Sequence, residues 1–361
     1  MKVLLLLPYA WDTSPGQRFR IEQWAPHLKD LGIEFEIDEL MTFDQQKFLY
    51  SKASPARKAA MILRTSYDRW RRISASARRA DVVWLHRTLT VIGPAWLERR
   101  LARLGVPILY EFDDAIWVTD TTKANRAFGW LKFAGKTEEI CRLSHTVVVG
   151  NKYLADFAAR HNPRVEIVPT TIDTHLYQPK SSYDISGRTV IGWSGSITTS
   201  HHLELIGKAL ETVSKRHEIL FKVLGDKNFD LPGVTTEASD WNRDTEVGDI
   251  SGFDIGLMPL HDNQWAKGKC GLKALQYMGM GIPTILSPVG VNADIIRNGE
   301  NGLWATTEDE WVSALTRLIE SKELRERLGR AGRATVESDF SAVSQTPRVH
   351  QILQNVAASK A

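Results

Sequence analysis

Cysteine is scarce in this chain. Its only two, Cys141 and Cys270, lie far apart among 361 residues and in no CxxC or metal-ligand spacing. Neither a disulfide framework nor a zinc site is expected, and a reducing compartment fits. Long apolar runs are missing too: the first, residues 3–7, is closed by Pro8, too short for a signal-peptide core or a membrane span. The expectation is a cytoplasmic protein. No low-complexity segment or short-period repeat occurs. The Gly-x-Gly-x-x-Gly fingerprint and its downstream acid are absent after the first apolar run, which argues against a nicotinamide-dependent enzyme. Basic residues are plentiful, but no aromatic-interleaved strand motif or helix-turn-helix pattern accompanies them, which argues against nucleic acid as a partner.

What is present describes a globular chain. With 43% hydrophobic and 25% charged residues, and more length than one core usually supports, two domains are expected. Short β-branched or Leu-rich runs alternate with longer amphipathic stretches, the pattern of α/β folds in which helices flank parallel sheets. Strands are predicted at 3–7, 35–38, 82–85, 107–110, 146–149 and 165–168, then at 189–193, 220–224, 253–258 and 283–286. Residues 169–187 hold two Pro (Pro169 and Pro179), several Ser and Thr and no periodicity, and read as a linker. This places an N-terminal domain over 1–169 and a C-terminal one over 170–340. Residues 341–361 read as a weakly amphipathic helix that could pack back on the first domain.

The net charge of +3 hides an uneven distribution. Residues 57–103 hold twelve Lys or Arg against Asp68, Asp81 and Glu98, a local +9 that leaves −6 elsewhere. Arg57, Arg64, Arg71 and Arg78 recur every seven residues, which keeps them on one side of a helix. Lys58, Arg69, Arg72 and Arg79 are expected to widen that face, with Ile62, Leu63, Trp70 and Ile73 opposite, giving an amphipathic helix or helix pair over 55–79. Such a face is either an ordinary solvated surface or a seat on anionic lipid, where each nearby basic residue contributes about 1 kcal/mol.

In open parallel sheets ligands bind beyond the carboxyl ends of the strands, so the residues after each run are where chemistry is sought. In the second half the richest stretch is 253–283. Gly268 and Gly271 allow close backbone approach, and a helix starting near Gly271 would aim its amides at an anion. Lys269 and Lys273 are four apart and supply the cations of a diphosphate cradle. Lys at a helix start opposes the helix dipole, so two there are costly without an anion. In the first half, Gly16 and Arg18 follow the first strand, with Arg20 either a phosphate contact or the partner of a buried carboxylate. His86 and Arg87 close another strand, and Asp113 and Asp114 another. Adjacent acids suit Mg²⁺, but alternate residues of a strand point opposite ways, so a shared metal ion is not expected. Asp113 is read as an acceptor-hydroxyl contact or base, and Asp114 as shaping the loop.

Taken with Gly271-Leu272 and Gly281-Ile282-Pro283, the stretch resembles the signature of glycosyltransferase family 4, the glycosyl transferases group 1, retaining enzymes of GT-B fold. In that frame Gly268 and Gln276 stand where the family has its two Glu residues, so both acids have departed. The resemblance extends to residues 191–196, where Gly195 and Ser196 match the glycine turn on the donor phosphates, to Gly225 near the base, and to Gly16 in the first loop. It implies two Rossmann-like domains with parallel sheets facing a central cleft. A nucleotide diphosphate sugar would be bound by Gly16, Gly195, Ser196, Gly225, Gly268, Lys269, Gly271, Leu272, Lys273 and Gln276. Arg18, His86, Arg87, Asp113 and Asp114 would face a glycan or lipid-linked acceptor, and Asp113, Lys269 and Lys273 would carry the chemistry without metal or other cofactor. With the basic helix, this suggests a peripheral enzyme on the inner face of the plasma membrane, active in surface polysaccharide synthesis. A GT-B nucleotide-sugar epimerase or hydrolase and a non-catalytic nucleotide-sugar binding scaffold are the alternatives.

Overall fold

A computed structural model describes residues 1–118, Phe133 and 135–360 of the chain. It divides into two compact units, Met1–Thr170 with Gln345–Ala361, and Thr171–Ser344. The first holds a parallel sheet of β1 (Lys2–Leu7), β2 (Glu34–Glu39), β3 (Val82–His86), β4 (Ile108–Phe112), β5 (Thr146–Val149) and β6 (Val165–Ile167), in the order β2-β1-β3-β4-β5-β6. The second is built the same way from β7 (Thr189–Ser194), β8 (Ile219–Leu224), β9 (Thr236–Ser239), β10 (Ile255–Met258), β11 (Thr284–Leu286) and β12 (Leu303–Trp304), in the order β12-β11-β10-β7-β8-β9.

The central strands are largely apolar because helices cover both faces of each sheet. Val3, Leu4, Leu5, Leu6 and Leu7 are all fully buried, and in the second unit Ile191, Trp193, Phe221, Val223, Ile255 and Leu257 form a core with Leu210, Trp311 and Leu315. All ten strands expected from the sequence are present, their ends shifted by at most two residues. β9 and β12 are additional. Both are edge strands, one reading Thr-Glu-Ala-Ser and the other two residues long, so neither carries an apolar run to announce it.

The basic segment forms one helix, Pro55–Arg79, started by Ser54, whose hydroxyl accepts from the amide of Arg57. Its inward stripe is Ile62, Thr65, Ser66, Arg69, Ile73, Ser76 and Ala77, at the helical spacing of one face. Two expectations are corrected here. Arg69 is not on the basic face but wholly buried, and Leu63 and Trp70 are not on the core side, being 63% and 37% exposed. Asp38, buried at the end of β2, is the reason: Arg69 Nε donates to its carboxylate at 2.8 Å, and the rest of the guanidinium donates to the carbonyls of Leu7, Asp38 and Leu89. A buried carboxylate needs such a partner, and fixing Arg69 inward rotates Leu63 and Trp70 outward. Arg57, Arg64, Arg71 and Arg78 remain exposed, now interleaved with Leu63, Tyr67 and Trp70. Tyr67 and Trp70 stack with centroids 5.7 Å apart.

Candidate functional site

Each sheet has one place where neighbouring strands send their connections in opposite directions, and ligands of doubly wound sheets gather there. The first sheet reverses between β1 and β3, the second between β7 and β10.

In the second unit the loop after β7 begins with Gly195 and Ser196, and the segment after β10 leads through the short helix Gln264–Lys267 to Gly271 and the helix Leu272–Gly279. Gly271, as N-cap, has no side chain to occupy the first-turn amides, which point toward any ligand seated there. Lys273 lies in that first turn, its Nζ 5.1 Å from the centre of the Trp193 ring, and Lys269 Nζ lies 4.7 Å from that of Trp265. A cation over an aromatic face is held without losing its charge. Gly225 has φ +106°, and a Cβ there would stand 2.2 Å from the carbonyl oxygen of Gly195. Only glycine lets these two turns meet, so Gly225 supports the position of Gly195. Gly268 closes the short helix, and Leu272 opens the longer one.

Gln276 is buried, and its Nε2 donates to Tyr177 Oη at 3.1 Å and to Glu246 Oε1 at 3.0 Å. With both hydrogens so used, its carbonyl oxygen is what it can offer a ligand. Glu246 and Tyr177 escaped the sequence reading because both are distant in sequence from the motif that meets them.

Three histidines stand at the same sheet reversal. His201 and His202 follow β7 and His261 follows β10, with ring centroids 4.1, 5.9 and 5.3 Å apart pairwise. His261 lay inside a loop named from the sequence, but a single His there carries no distinguishing spacing.

In the first unit, the loop after β1 is organised from below. Gln17 accepts from the amide of Tyr9 and donates to Glu22, Glu22 accepts from the amide of Asp12, and Asp12 accepts from Arg18 Nε at 3.0 Å. After β3, Arg87 takes the left-handed conformation, φ +56°, as does Asp12 at +64°. Non-glycine residues rarely do so outside sites where surrounding contacts hold them. Arg87 is held by Asp113, through Nε at 2.8 Å and Nη2 at 2.6 Å, and by Asp114, through Nη2 at 2.8 Å. The expectation that Asp113 and Asp114 point apart is therefore corrected. β4 ends at Phe112, strand alternation no longer applies beyond it, and both carboxylates meet the same guanidinium. A Cβ at Gly16 would lie 2.7 Å from Arg87 Nη2 and 2.8 Å from Asp113 Oδ2, so the first loop passes directly over this ion cluster. Burial would raise the Asp113 carboxyl, but Arg87 beside it holds it below the ordinary carboxylate range. So anchored an anion is a weak base.

His86, one residue earlier, is 1% exposed, and its Nδ1 meets Glu111 Oε2. Arg20 takes the other Glu111 oxygen, and all three are buried. The structural alternative for Arg20 is what is observed, and the structure places His86 with it in the interior. Among the described residues, no group of three or more His, Cys, Asp or Glu is arranged to hold a metal ion.

Residues 254–335 match the family model of the glycosyl transferases group 1. Comparison with curated protein sequences finds no match. Among solved structures, a sucrose-phosphate synthase from Thermosynechococcus elongatus superposes with TM-score 0.71 at 12% identity, over 99% of this chain and 100% of that one. The Anabaena protein HepE in complex with UDP and glucose gives 0.66 at 13%, over 98% and 100%. A glycosyltransferase from Rickettsia africae gives 0.67 at 15%, over 98% of both chains. The stretch around Lys269, Lys273 and Gln276 thus lies within the segment that matches the glycosyl transferases group 1 model, and the chain's two six-stranded parallel sheets have the GT-B fold of these structures.

Proposed function

We propose that this protein is a retaining glycosyltransferase that takes a sugar from a nucleoside diphosphate donor held on the second unit to an acceptor held on the first. One observation carries the reading: two lysines and an uncapped helix start at the β7/β10 reversal, in the segment that matches the family. The donor diphosphate would sit on the first-turn amides after Gly271, flanked by Lys269 and Lys273, with Gly195, Ser196, Gly225 and Gly268 lining its approach and Gln276 or its neighbour Glu246 at the ribose. As the sugar–oxygen bond breaks, charge grows on the leaving diphosphate, and fixed amides and ammonium groups stabilise it without reorganising. The diphosphate oxygen released on the same face would take the acceptor's proton, which accounts for retention and leaves Asp113 the task of orienting the hydroxyl. Arg18, Arg87 and Asp114 would shape that end. The neighbouring HepE is described with UDP, so a UDP-sugar is the first donor to try.

The test is calorimetric titration of UDP-, GDP-, ADP- and dTDP-sugars, followed by mass spectrometry of products. One donor class should bind in the micromolar range and transfer its sugar to an added acceptor. Binding without any turnover would favour a scaffold, free sugar or isomerised donor a hydrolase or epimerase, and no binding at millimolar concentration would overturn the reading.

We infer the acceptor class from the helix Pro55–Arg79. No helix of the described residues is long and apolar enough to cross a membrane, yet this one turns four arginines and Leu63, Tyr67 and Trp70 to solvent. Mixed basic and aromatic side chains suit a charged lipid interface, and a lipid-linked glycan in surface polysaccharide synthesis is the acceptor such a surface would serve. In flotation assays the protein should rise with phosphatidylglycerol vesicles and not with phosphatidylcholine, and Arg64→Ala with Arg71→Ala should cut the bound fraction severalfold, since each lost contact is worth about 1 kcal/mol. Equal behaviour with both lipids would remove this part of the proposal.

A further inference from the structure

The connection after β3 has no helix or strand over residues 87–90, yet buried side chains from four elements hold its backbone. Tyr110 Oη, on β4, donates to the carbonyl of Arg87 at 2.9 Å. Glu98 Oε1, on the helix Trp96–Ala102, accepts from the amide of Leu89 at 3.1 Å, and Arg69 Nη1, on the helix Pro55–Arg79, donates to the carbonyl of Leu89 at 3.2 Å. Lys136 Nζ, at the start of the helix Lys136–Leu143, donates to the carbonyl and the hydroxyl of Thr90 at 2.9 and 2.8 Å. Tyr110 and Arg69 are wholly buried, and Glu98, itself buried, pairs with Lys136 at 3.4 Å. Taking a carboxylate and two cations out of water is costly, and burying Leu89 alone would need only apolar neighbours.

What needs holding is Arg87. Its φ of +56° is rare for a residue with a side chain and persists only where the surroundings over-determine it, which happens most often at functional sites. The amide of Arg87 donates to the carbonyl of Glu111 at 2.8 Å, so its amide and its carbonyl are both tied to β4. That strand leads directly into Asp113 and Asp114, which take its guanidinium. We propose that Tyr110 is a positioning residue for sugar transfer, with Glu98 and Lys136 supporting the next residues of the same loop: together they fix the backbone at 87–90 so that Arg87 and Asp113 present one geometry to the acceptor hydroxyl. The inference rests on the reading that the acceptor is held on the first unit. Tyr110 itself is too deep to reach a ligand. Without its hydroxyl, the Arg87 carbonyl loses a bond, the residue can relax out of the left-handed region, and its guanidinium leaves Asp113. A misplacement of about 1 Å at a reacting centre costs up to roughly a hundredfold in rate.

The experiment compares the full chain with Tyr110→Phe, Arg87→Gly and the double variant. Calorimetry with UDP-glucose, or whichever donor binds, measures donor affinity, mass spectrometry measures transfer to the acceptor, and urea unfolding checks the fold. Tyr110→Phe should bind donor as tightly as the wild type while transfer falls roughly tenfold to a hundredfold. Glycine takes a positive φ without support, so in the Arg87→Gly background Tyr110→Phe should cost no further transfer. A hydroxyl that served stability alone would cost the same in both backgrounds, so this non-additivity reads positioning. Undiminished transfer in Tyr110→Phe, or an equal loss in both backgrounds, would overturn the inference and leave the donor reading intact. If Arg87→Gly leaves no transfer to compare, Lys136→Met decides: it should lose transfer at unchanged donor affinity, and wild-type transfer by that variant overturns the inference. A wild-type protein that binds donor and transfers to no acceptor would overturn the acceptor reading itself, and this inference with it.

Discussion

Replacing Lys269 and Lys273 together by Ala should weaken donor binding by roughly a hundredfold to ten-thousandfold, taking about 1.5–3 kcal/mol for each charge-assisted contact. Titration of the single and double variants measures the loss, and a double variant that binds donor as tightly as the wild type would contradict the assignment.

The second large effect is on stability. Glu111 lies in the interior between Arg20 and His86, with all three side chains at most 1% exposed, and the Arg20 guanidinium packs over the Trp24 ring with its centre 5.0 Å away. Glu111→Leu should lower the stability of the first unit by about 3–5 kcal/mol, because a buried guanidinium would lose its counter-charge. Removing both partners, Arg20→Met with Glu111→Leu, should cost much less. Urea unfolding followed by tryptophan fluorescence reports this region, since Trp24 and Trp84 are buried and stacked in the same unit. The pH dependence has a definite sign. Burial would raise the Glu111 carboxyl, but Arg20 and His86 hold it below its ordinary value of 4.5. Its contribution is thus complete above about pH 5 and is lost as pH falls through the depressed folded value. The Glu111→Leu variant should show a shallower loss of stability on acidification.

These two cases show what the sequence made legible. Parallel strands announce themselves locally: residues 3–7 are five apolar residues in a row, and burial on both faces demands that. β9, polar and at an edge, obeys no such demand. The Gly271–Lys273 segment could be named because a helix start, its glycine and its cations are close in sequence. Pairings over long separations could not. Glu111 and Arg20 are 91 residues apart, Arg69 and Asp38 31, and His261 and His202 59, and nothing local says which arginine of a basic run will be drawn inward. For the helix Pro55–Arg79 that choice was made by one aspartate at the end of a neighbouring strand, and it turned two apolar residues outward.

The helix Ala342–Ala358 begins at the end of the second unit, yet residues 345–361 belong to the first, where Val349, Ile352, Leu353 and Val356 are buried and Lys360 donates to the carbonyl of Ala80 at 2.6 Å. The order of synthesis and the order of completion are consequently reversed. Residues 1–170 leave the ribosome first, but the surface that this last helix covers waits until roughly 190 further residues have been added, about ten to forty seconds at ordinary elongation rates. The second unit, contiguous in sequence, can close within that interval. The half made first is the half finished last, and during the wait the apolar surface under this helix stays uncovered.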